Sequence, residues 1–570
     1  MRILFLTHSY NSLAQRLHSE LAARGHEVSI EFDIADSVAE EAVALFRPDL
    51  VVAPYLRRAI PASIWQRHTC LIVHPGIVGD RGPSALDWAI QEGEREWGVT
   101  VLQAEAEMDA GPIWAAATFP LRRGKKSSLY RNEVTDAACR AVMQAVERFA
   151  AGDFQPLPLS EAAGRGRLRP LMKQADRRID WSRDDTATVL RKMDAADGFP
   201  GVADELFGTV CHLFDAWPEA QLSGVPGEVI ARRETALLRA TVDGAVWIGH
   251  VKRSGGIKLP ATLAFAERCS DIPEAPLAGW PAADHATWQD ISYEEAAIDG
   301  NEVGFLHFEF CNGAMGTRQC ERLCAAFAWA RTRPTRVIVL MGGTDFWSNG
   351  VHLNLIEQAE SPADESWANI NAIDDLAEAI LRCDSHLTVA ALQGNAGAGG
   401  CFLARAADLV WARDGIMLNP HYKNMGNLYG SEFWTYLLPP RVGAEGARDI
   451  MQNRLPMTAQ AAVACGFYDA CLAGAPAAFR VDVARRAAEL AAAPDFAVRI
   501  KAKAERRAHD EAAKPLAAWR AEELAHMTRN FYGFDPSYHV ARWHFVQKSL
   551  ASWTPRHLAK HRDIGWAAPT

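Results

Sequence analysis

Segments of strand length alternate with helical patterns over the first quarter of the chain. The segments Arg2–Leu6, Val28–Phe32, Leu50–Ala53 and Cys70–Val73 are rich in apolar residues. The helical pattern after the first of them ends at Gly25, a residue suited to the left-handed position that follows a helix. Strands that alternate with helices predict a parallel sheet covered by helices. We therefore predict a Rossmann-like domain, although its first turn lacks the glycine pattern of dinucleotide-binding proteins.

The pattern changes twice further along the chain. The sequence PLPLSEAAGRGRLRP (156–170) is typical of a linker and precedes short, turn-rich strands. Residues 271–293 are rich in Pro, Ala and Asp and predict a second linker, after which a new α/β pattern starts at Val303–Phe308. Beyond about residue 480 the chain is rich in Ala, Arg and Glu, which favours packing or solvent-facing helices over a functional site.

These patterns predict an α/β multidomain protein, and 570 residues correspond to about three or four domains of ordinary size. The predicted order is a Rossmann-like domain (1–155), a small β-rich, barrel-like domain (156–270), a linker (271–293), a second α/β domain (294–480) and a helical C-terminal extension (481–570).

Composition excludes several classes of function. Hydrophobic residues make up 49% of the chain and charged residues 23%, as in ordinary globular proteins. The net charge of −10 gives none of the basic excess that binding to a nucleic-acid backbone requires. No apolar run is long enough to span a membrane. The eleven cysteines are dispersed without a CxxC pair, so we expect no metal site and reduced thiols in the cytoplasm.

The first candidate site follows the strand that ends near residue 73. The sequence IVHPGIVGDRGPSALDWAI (72–90) puts His74 at the carboxyl end of a strand, where α/β sheets bind ligands. Further on, GVTVLQAEAEMDAGPIW (98–114) carries Asp109 in a turn. A histidine beside a carboxylate can transfer protons during acyl transfer. A structural histidine and a turn-capping aspartate remain the alternative.

Four motifs in this region, HPG, DRGP, GVTV and MDAGPI, resemble in order and spacing those of formyltransferases that use 10-formyltetrahydrofolate. RRIDW and DGFPG resemble the small domain that follows in methionyl-tRNA formyltransferases. The resemblance covers about the first half of the chain. It implies 10-formyltetrahydrofolate as formyl donor, His74 and Asp109 as catalytic residues, and a folate loop of Gly79, Asp80, Arg81 and Gly82.

One position departs from the formyltransferase pattern. The family has an asparagine two residues before the histidine, where this chain has Ile72. Loss of such an oxyanion donor typically costs about 100- to 1,000-fold in rate. Either another group donates this hydrogen bond, or the acceptor is a stronger nucleophile than an amine, such as a thiol.

The second candidate site consists of two glycine-rich turns, GGTDFWSNGVHLN (342–354) and VAALQGNAGAGGCFLARAADLV (389–410). Backbone N–H groups at such turns can converge on one oxygen, although tight turns between packed elements are the alternative. The turns resemble those of the crotonase (enoyl-CoA hydratase/isomerase) superfamily, from about Val303 to Leu472. The resemblance implies that the N–H groups of Val351 and Gly399 polarise the carbonyl of a coenzyme A thioester. It assigns coenzyme A or substrate binding to Ser348, Asn349, Gly350, Gly397 and Gly400.

The hydratase carboxylates of that superfamily are absent. Phe402 and His421 stand in their places, so hydration of an enoyl thioester is not expected. The stretch LNPHYKNMGNLYGSEFWTYLLPPRVG (418–443) instead offers hydroxyl or titratable groups at His421, Tyr422, Tyr429, Glu432 and Tyr436. We expect Glu432 to act as base and Tyr422 as proton donor or orienter, with His421 a further catalytic candidate. Alternatively, the aromatic residues only pack and Glu432 caps a helix that begins near Ser431.

The whole chain resembles the accessory proteins that make the carbon monoxide ligand of nickel-iron hydrogenases. The resemblance rests on THSYNS, HPGIVGDRGPSALDWAI, SNGVHLN, NPHYKNMG and YGSEFWTYLLPPRVG. It implies that the first domain moves a formyl group from 10-formyltetrahydrofolate to the thiol of coenzyme A. The second α/β domain would then split formyl-coenzyme A into carbon monoxide and coenzyme A. Partners would be hydrogenase maturation proteins or the hydrogenase large-subunit precursor.

Three alternatives stay open on the sequence. The chain could formylate an amine, such as an amino sugar or an aminoacyl-tRNA, with a degenerate second α/β domain. It could be a hydratase or isomerase of acyl-coenzyme A. It could also be a non-catalytic scaffold in hydrogenase maturation that uses both folds for docking.

Overall fold

The computed structural model describes residues 1–162, 164–283, 286–298, 300–563 and 565. The linkers, the second α/β domain and the C-terminal extension predicted from the sequence also contain residues 163, 284, 285, 299, 564 and 566–570. These residues lie outside the described ranges. Within the described ranges, none of the helices has the length and apolar character needed to cross a membrane.

The first domain is a six-stranded sheet in the order β2-β1-β3-β4-β5-β6. Its strands are β1 (Arg2–Thr7), β2 (Glu27–Phe32), β3 (Leu50–Ala53), β4 (Cys70–His74), β5 (Glu96–Gln103) and β6 (Ile113–Pro120). Its helices are α1 (Ser12–Ala23), α2 (Asp36–Phe46), α3 (Ala62–Trp65), α4 (Ala85–Glu92), α5 (Lys126–Leu129) and α6 (Thr135–Ala151). The prediction of a parallel sheet is right for β1–β4 and wrong for β5 and β6, which pair antiparallel. The connection from β5 to β6, residues 104–112, is shorter than the crossover that parallel strands need, which accounts for that antiparallel pair; β4 and β5 also pair antiparallel, although α4 lies between them.

The predicted linker 156–170 is not a free connection. The Arg81 N–H donates to the Arg167 carbonyl at 3.1 Å, and the Arg169 N–H donates back to the Arg81 carbonyl at 2.8 Å. A Cβ on Gly166 would come within 1.8 Å of the Asp80 nitrogen, so glycine is what allows the two chains to lie so close. The glycines that make this segment resemble a linker therefore allow its backbone to pack closely against the loop after β4.

The second domain is an antiparallel sheet in the order β7-β8-β11-β10-β9, with β12 paired to β11. Its strands are β7 (Val202–Leu206), β8 (Thr209–Glu219), β9 (Val229–Arg233), β10 (Ala236–Ala240), β11 (Ala245–Arg253) and β12 (Lys258–Pro260). Its helices are α7 (Gln174–Arg177), α8 (Thr186–Ala196) and α9 (Ala261–Ala264). Helix α8 packs Val189 and Met193 against the sheet.

The third domain contains a six-stranded sheet, β13-β14-β15-β17-β19-β22, and a four-stranded sheet, β16-β18-β20-β21. The strands are β13 (Ile291–Ile298), β14 (Asn301–Phe308), β15 (Val337–Leu340), β16 (Phe346–Ser348), β17 (Leu387–Leu392), β18 (Asn395–Gly397), β19 (Leu409–Arg413), β20 (Met417–Asn419), β21 (Met457–Thr458) and β22 (Ala470–Leu472). The helices are α10 (Thr317–Ala330), α11 (Leu353–Gln358), α12 (Pro362–Leu381), α13 (Gly399–Arg405), α14 (Trp434–Leu437), α15 (Pro439–Asn453) and α16 (Ala459–Ala464). Strand β13 begins inside the predicted linker 271–293.

The remaining helices are α17 (Pro476–Ala492), α18 (Phe496–Ala513), α19 (Leu516–Tyr532) and α20 (Ser537–Gln547). Helix α17 covers one face of the six-stranded sheet of the third domain, and α19 packs into the core on the other side, next to α12. The chain then returns to the first domain, where His561 contacts Ser29 at 2.7 Å and Glu31 at 2.9 Å. These contacts cover β2, an edge strand whose backbone would otherwise be open to pairing.

Candidate active sites

His74 is the last residue of β4, and its side chain is buried between two carboxyl groups. Its Nε2 lies 3.2 Å from Asp80 Oδ1, and its Nδ1 lies 3.6 Å from Asp109 Oδ2. Asp109 has a left-handed backbone (φ 56°), and its Oδ2 also accepts the Gly82 N–H at 3.1 Å. An imidazole between two acceptors can take up a proton and release it again, as acyl transfer requires.

The turn after His74 is fixed by the neighbouring strand. Thr100 of the GVTV motif lies opposite His74 in β5, and its hydroxyl donates to the Gly76 carbonyl at 2.8 Å. A Cβ on Gly76 would come within 2.4 Å of His74 Nε2, so glycine leaves the space that the imidazole occupies. Ile72 is half-buried and packs in an apolar cluster, so its side chain supplies no hydrogen bond.

Asp80 of the predicted folate loop uses both carboxylate oxygens within the protein. Oδ1 contacts His74, while Oδ2 accepts Arg169 Nε at 2.8 Å. Asp80 is 2% exposed, so its position suits it to orient His74 rather than to meet a ligand. The flanking glycines, Gly79 and Gly82, have positive φ (87° and 111°), and Arg81 pairs with Glu107.

We expect Arg169→Ala to destabilise the protein because it removes the guanidinium that pairs with the buried Asp80 carboxylate. Removing one partner of a buried ion pair typically costs about 3–5 kcal/mol. Arg165→Ala is the matched control, since Arg165 is 68% exposed and its pair with Glu96 should contribute less than about 1 kcal/mol. Urea unfolding of both variants measures the difference, and equal losses of stability would contradict this view of Arg169.

The two glycine-rich turns of the third domain meet at the start of α13. They bring together the residues predicted to polarise the thioester and to bind coenzyme A: Ser348, Asn349, Gly350, Val351, Gly397, Gly399 and Gly400. A Cβ on Gly350 would lie 3.4 Å from the Gly399 nitrogen, and one on Gly400 would lie 2.1 Å from the Ser348 carbonyl oxygen. Gly399 is the first residue of α13, so its N–H has no carbonyl partner within the helix.

Glu432 packs directly against this turn. A Cβ on Gly399 would come within 2.0 Å of Glu432 Oε1. Glu432 and Phe433 both have left-handed backbones (φ 58° and 60°), a conformation that costs non-glycine residues about 1–3 kcal/mol each. The helix expected near Ser431 therefore begins only at Trp434. The strained turn directs the Glu432 carboxyl group towards Gly399.

Two further buried carboxyl groups hold the strained turn. Asp374 of α12 accepts the Glu432 N–H at 2.8 Å, and Glu523 of α19 accepts the Phe433 N–H at 3.0 Å. All three carboxyl groups are at most 1% exposed. Burial, and then the charge of Asp374, raises the pKa of Glu432 above its ordinary value and that of Glu523 to about 8. Burial likewise raises the pKa of Asp374.

Tyr422 is held in place by Glu432 and Phe402. Its hydroxyl donates to Glu432 Oε2 at 2.5 Å, and its ring stacks on Phe402 at 5.8 Å. His421 is buried, and its ring nitrogens have no hydrogen-bond partner among the described residues. Burial, with smaller contributions from His557 and Arg454, lowers the pKa of His421 to about 4, so its imidazole is neutral near pH 7.

The other predicted hydroxyl groups face the C-terminal helices. Tyr429 stacks on His526 at 4.0 Å, and the Tyr436 hydroxyl donates to Asp510 at 2.7 Å. The region beyond residue 480, which the sequence predicts as packing or solvent-facing helices, also contributes Glu523 to the contacts of the turn at Phe433. The sequence does contain a signal for it. Glu523 interrupts an otherwise apolar face of α19, whose other buried residues are Leu516, Leu524, Met527 and Phe531.

The first domain touches the loops that lead to the second site. Asn419, at the end of β20, donates to Gln15 of α1 at 3.1 Å. Asn132 accepts from Arg413 at 2.8 Å and donates to Asp345, in the first glycine-rich turn, at 3.2 Å. The two candidate sites therefore belong to domains that are in direct contact.

Three family models match the chain in sequence order. They are "Formyl transferase" over residues 31–146, "Formyl transferase, C-terminal domain" over residues 171–268 and "Enoyl-CoA hydratase/isomerase" over residues 311–531. Methionyl-tRNA formyltransferase of Ralstonia nicotianae is 26% identical over 230 residues, which is 40% of this chain and 70% of that protein. The fold and its sites thus define a fusion of a formyltransferase with an enoyl-CoA hydratase-like domain, which confirms the predicted fold class.

Some of the matching relatives align with nearly the whole chain. Hydrogenase maturation factor HoxX of Bradyrhizobium diazoefficiens is 55% identical over 564 residues, 99% of this chain and 97% of that protein. The crystal structure of HypX from Aquifex aeolicus in complex with tetrahydrofolic acid is 49% identical, covers 100% of both chains and has a TM-score of 0.96. The chain belongs to the HoxX family of hydrogenase maturation factors, which confirms the whole-chain resemblance.

Proposed function

We propose that this protein makes the carbon monoxide ligand of a nickel-iron hydrogenase in two steps. The formyl group of 10-formyltetrahydrofolate passes to the thiol of coenzyme A, and formyl-coenzyme A is then split into carbon monoxide and coenzyme A. The position of Glu432 gives this proposal its strongest support. The Glu432 carboxyl group lies against Gly399 in a fold whose hydratase carboxylates are replaced by Phe402 and His421.

In the first step, His74 takes the proton from the thiol as the sulfur attacks the formyl carbon. The bond from that carbon to N10 of the folate breaks, and N10 receives a proton from His74. Asp80 lies 3.2 Å from Nε2 and keeps the imidazole oriented, whereas Asp109 lies 3.6 Å from Nδ1, beyond hydrogen-bond length, so Nδ1 is the nitrogen left to exchange the proton. A thiol acceptor is a strong enough nucleophile to compensate for the amide missing at Ile72.

In the second step, the amides of Val351 and Gly399 hold the formyl oxygen. Glu432 removes the formyl proton, the carbon–sulfur bond breaks, and the coenzyme A thiolate leaves and takes that proton back. A formyl group has no α-carbon, so the enolate chemistry common in this fold is unavailable. Tyr422 orients Glu432 through its 2.5 Å hydrogen bond. His421, neutral and without a partner among the described residues, offers an imidazole to the substrate.

The proposal extends to location and partners. All eleven cysteines are free, which is consistent with the reducing cytoplasm, where folates and coenzyme A are available. The hydrogenase large-subunit precursor or other maturation proteins would receive the carbon monoxide.

The test is release of carbon monoxide, trapped by deoxyhaemoglobin, from the purified protein given 10-formyltetrahydrofolate and coenzyme A. We expect gas only when both substrates are present. Formyl-coenzyme A that accumulates without gas would overturn the second step, and transfer to an amine in place of the thiol would overturn the first.

The pH dependence of the second step should report the carboxyl cluster. Glu432 must be ionised to act as base, and its pKa is raised, so the rate should rise with pH to a midpoint above the ordinary value for glutamate. Glu523→Gln removes a negative charge that opposes this ionisation, so the midpoint should move to lower pH. Glu522→Gln is the control, because Glu522 is 64% exposed. The measurement is decarbonylation of supplied formyl-coenzyme A between pH 5 and 10, and an unshifted midpoint would contradict the coupling.

A further inference from the structure

A third cluster of reactive side chains lies next to the first glycine-rich turn, whose Asp345 and Phe346 line the same cavity as Cys311. Side-chain nitrogen, oxygen and sulfur atoms of Asp215, His250 and Cys311 all lie within 4.8 Å of one another. Asp215 and His250 are on the adjacent strands β8 and β11 of the second domain. Cys311 begins the turn after β14, in the third domain. The contact between the two domains therefore assembles the cluster.

The backbone is shaped to bring Asp215 onto His250. Asp215 has a left-handed conformation (φ 60°) within a strand, an arrangement that is uncommon for a residue other than glycine. A Cβ on Gly249, the residue opposite, would come within 2.2 Å of Asp215 Oδ2. Glycine at that position leaves room for Asp215 Oδ2 to lie 2.9 Å from His250 Nδ1.

The hydrogen bonds favour a nucleophile over a metal site. Asp215 Oδ1 accepts Lys125 Nζ at 2.5 Å and Trp217 Nε1 at 3.0 Å, and Oδ2 is taken by His250. Because His250 Nδ1 is bound to Asp215, its Nε2 is the ring nitrogen left for Cys311. Carboxylate, imidazole and thiol in this order form the arrangement of an activated cysteine with its base and orienting group.

The surroundings favour the charged form of His250. Burial lowers its pKa, but the charge of Cys311 and the hydrogen bonds and charge of Asp215 outweigh that effect and raise the pKa to about 9. The other titratable groups that line or border the cluster are Lys125, Arg131, Asp194, Asp197, Lys258, Glu309, Asp345 and His352. An imidazolium next to a thiol stabilises the thiolate, which is the reactive form.

We propose that Cys311, activated by His250, forms mixed disulfides with small-molecule disulfides. The Cys311 sulfur attacks one sulfur of the disulfide, the sulfur–sulfur bond breaks, and the departing thiolate takes the proton that His250 releases once Cys311 is neutral. The small-molecule disulfide is the oxidant, and its released half is the reduced product. Acyl transfer to Cys311 would also need donors for an oxyanion, whereas disulfide exchange needs none. Cys311 is half-buried and lines a cavity at the junction of the three domains.

The test is reaction of the full-length protein with coenzyme A disulfide at pH 6.5, followed by peptide mass spectrometry. At that pH an ordinary thiol, with a pKa of about 8.5, is only about 1% thiolate. Cys311 should therefore react about 10-fold or more faster than Cys465, which is exposed. A reaction governed by exposure alone would modify Cys465 first and would overturn the proposal.

The variant His250→Gln distinguishes activation of the Cys311 thiol by His250 from the exposure of that thiol to the reagent. We expect it to slow modification of Cys311 about 10-fold or more and to leave the rate at Cys465 unchanged. Protection of the buried Cys139 shows that the variant is folded. A second measurement needs no change at His250: the thiolate absorbance near 240 nm of the wild-type protein, minus that of Cys311→Ser, at pH 6.5. An unchanged rate at Cys311 in His250→Gln, or no thiolate in the difference, would overturn the proposal.

Discussion

Replacing Glu432 by glutamine is expected to lower carbon monoxide release from formyl-coenzyme A by about 100- to 10,000-fold, the usual contribution of a positioned acid or base. Glutamine preserves the shape of the side chain and can still accept a hydrogen bond from Tyr422, but it cannot take the formyl proton. Because the glutamine is neutral, it also relieves repulsion from Asp374, so the variant should fold at least as well as the parent protein. A loss of activity would therefore reflect chemistry rather than misfolding.

The measurement is the trapped gas together with the formyl-coenzyme A that remains. With 10-formyltetrahydrofolate and coenzyme A as substrates, Glu432→Gln should accumulate formyl-coenzyme A, since the first site is unchanged. Glu445→Gln is the matched control, because Glu445 is an exposed residue of α15 and should have wild-type activity. Carbon monoxide output within a few-fold of the parent would remove Glu432 from the mechanism.

The sequence predicts the second site only in part. Its glycine-rich turns and the candidates Tyr422 and Glu432 follow from motifs, because close backbone approach requires glycine at fixed spacings. The left-handed turn at Glu432 and Phe433 does not follow, since local preference would continue a helix from Ser431. Asp374 and Glu523 impose that turn from helices that are distant in the sequence. Asp374 on α12 and Glu523 on α19 each lie on a largely apolar buried helix face. That pattern is the signal in the sequence that could have indicated both residues.

The first domain shows the same limit. Alternating strands and helices predict the Rossmann-like sheet and put His74 at its carboxyl edge. Composition alone treats 156–170 as a linker, whereas its glycines let it pair with the loop after β4 and bring Arg169 to Asp80. A long-range contact of this kind leaves no periodicity in either segment. The histidine was therefore predictable, and the residues that orient it were predictable only in part.

Replacing His74 by asparagine is expected to lower formyl transfer to coenzyme A by about 100- to 10,000-fold. Asparagine can still donate a hydrogen bond to Asp80, which limits the disturbance of the buried pair with Arg169. It cannot take the thiol proton and pass it to N10 of the folate. Carbon monoxide release from supplied formyl-coenzyme A should stay at the wild-type rate, because the second site is separate.

The control for this variant is His509→Asn, since His509 is exposed on α18 and contacts neither site. Formation of formyl-coenzyme A and release of gas are measured in parallel for both variants. Equal loss of both activities in His74→Asn would indicate misfolding. Transfer at the parent rate would show that His74 is not the proton carrier.

Mixing His74→Asn with Glu432→Gln then tests whether the intermediate leaves the protein. Each variant retains the site that the other lacks, so gas returns only if formyl-coenzyme A made by one protein reaches the second site of the other. The first domain contacts the loops of the second site through Asn132 and Gln15. We therefore expect transfer within one molecule in the parent protein and only slow recovery in the mixture. Recovery to half the parent rate, the value for free exchange at equal total protein, would show that the intermediate is released.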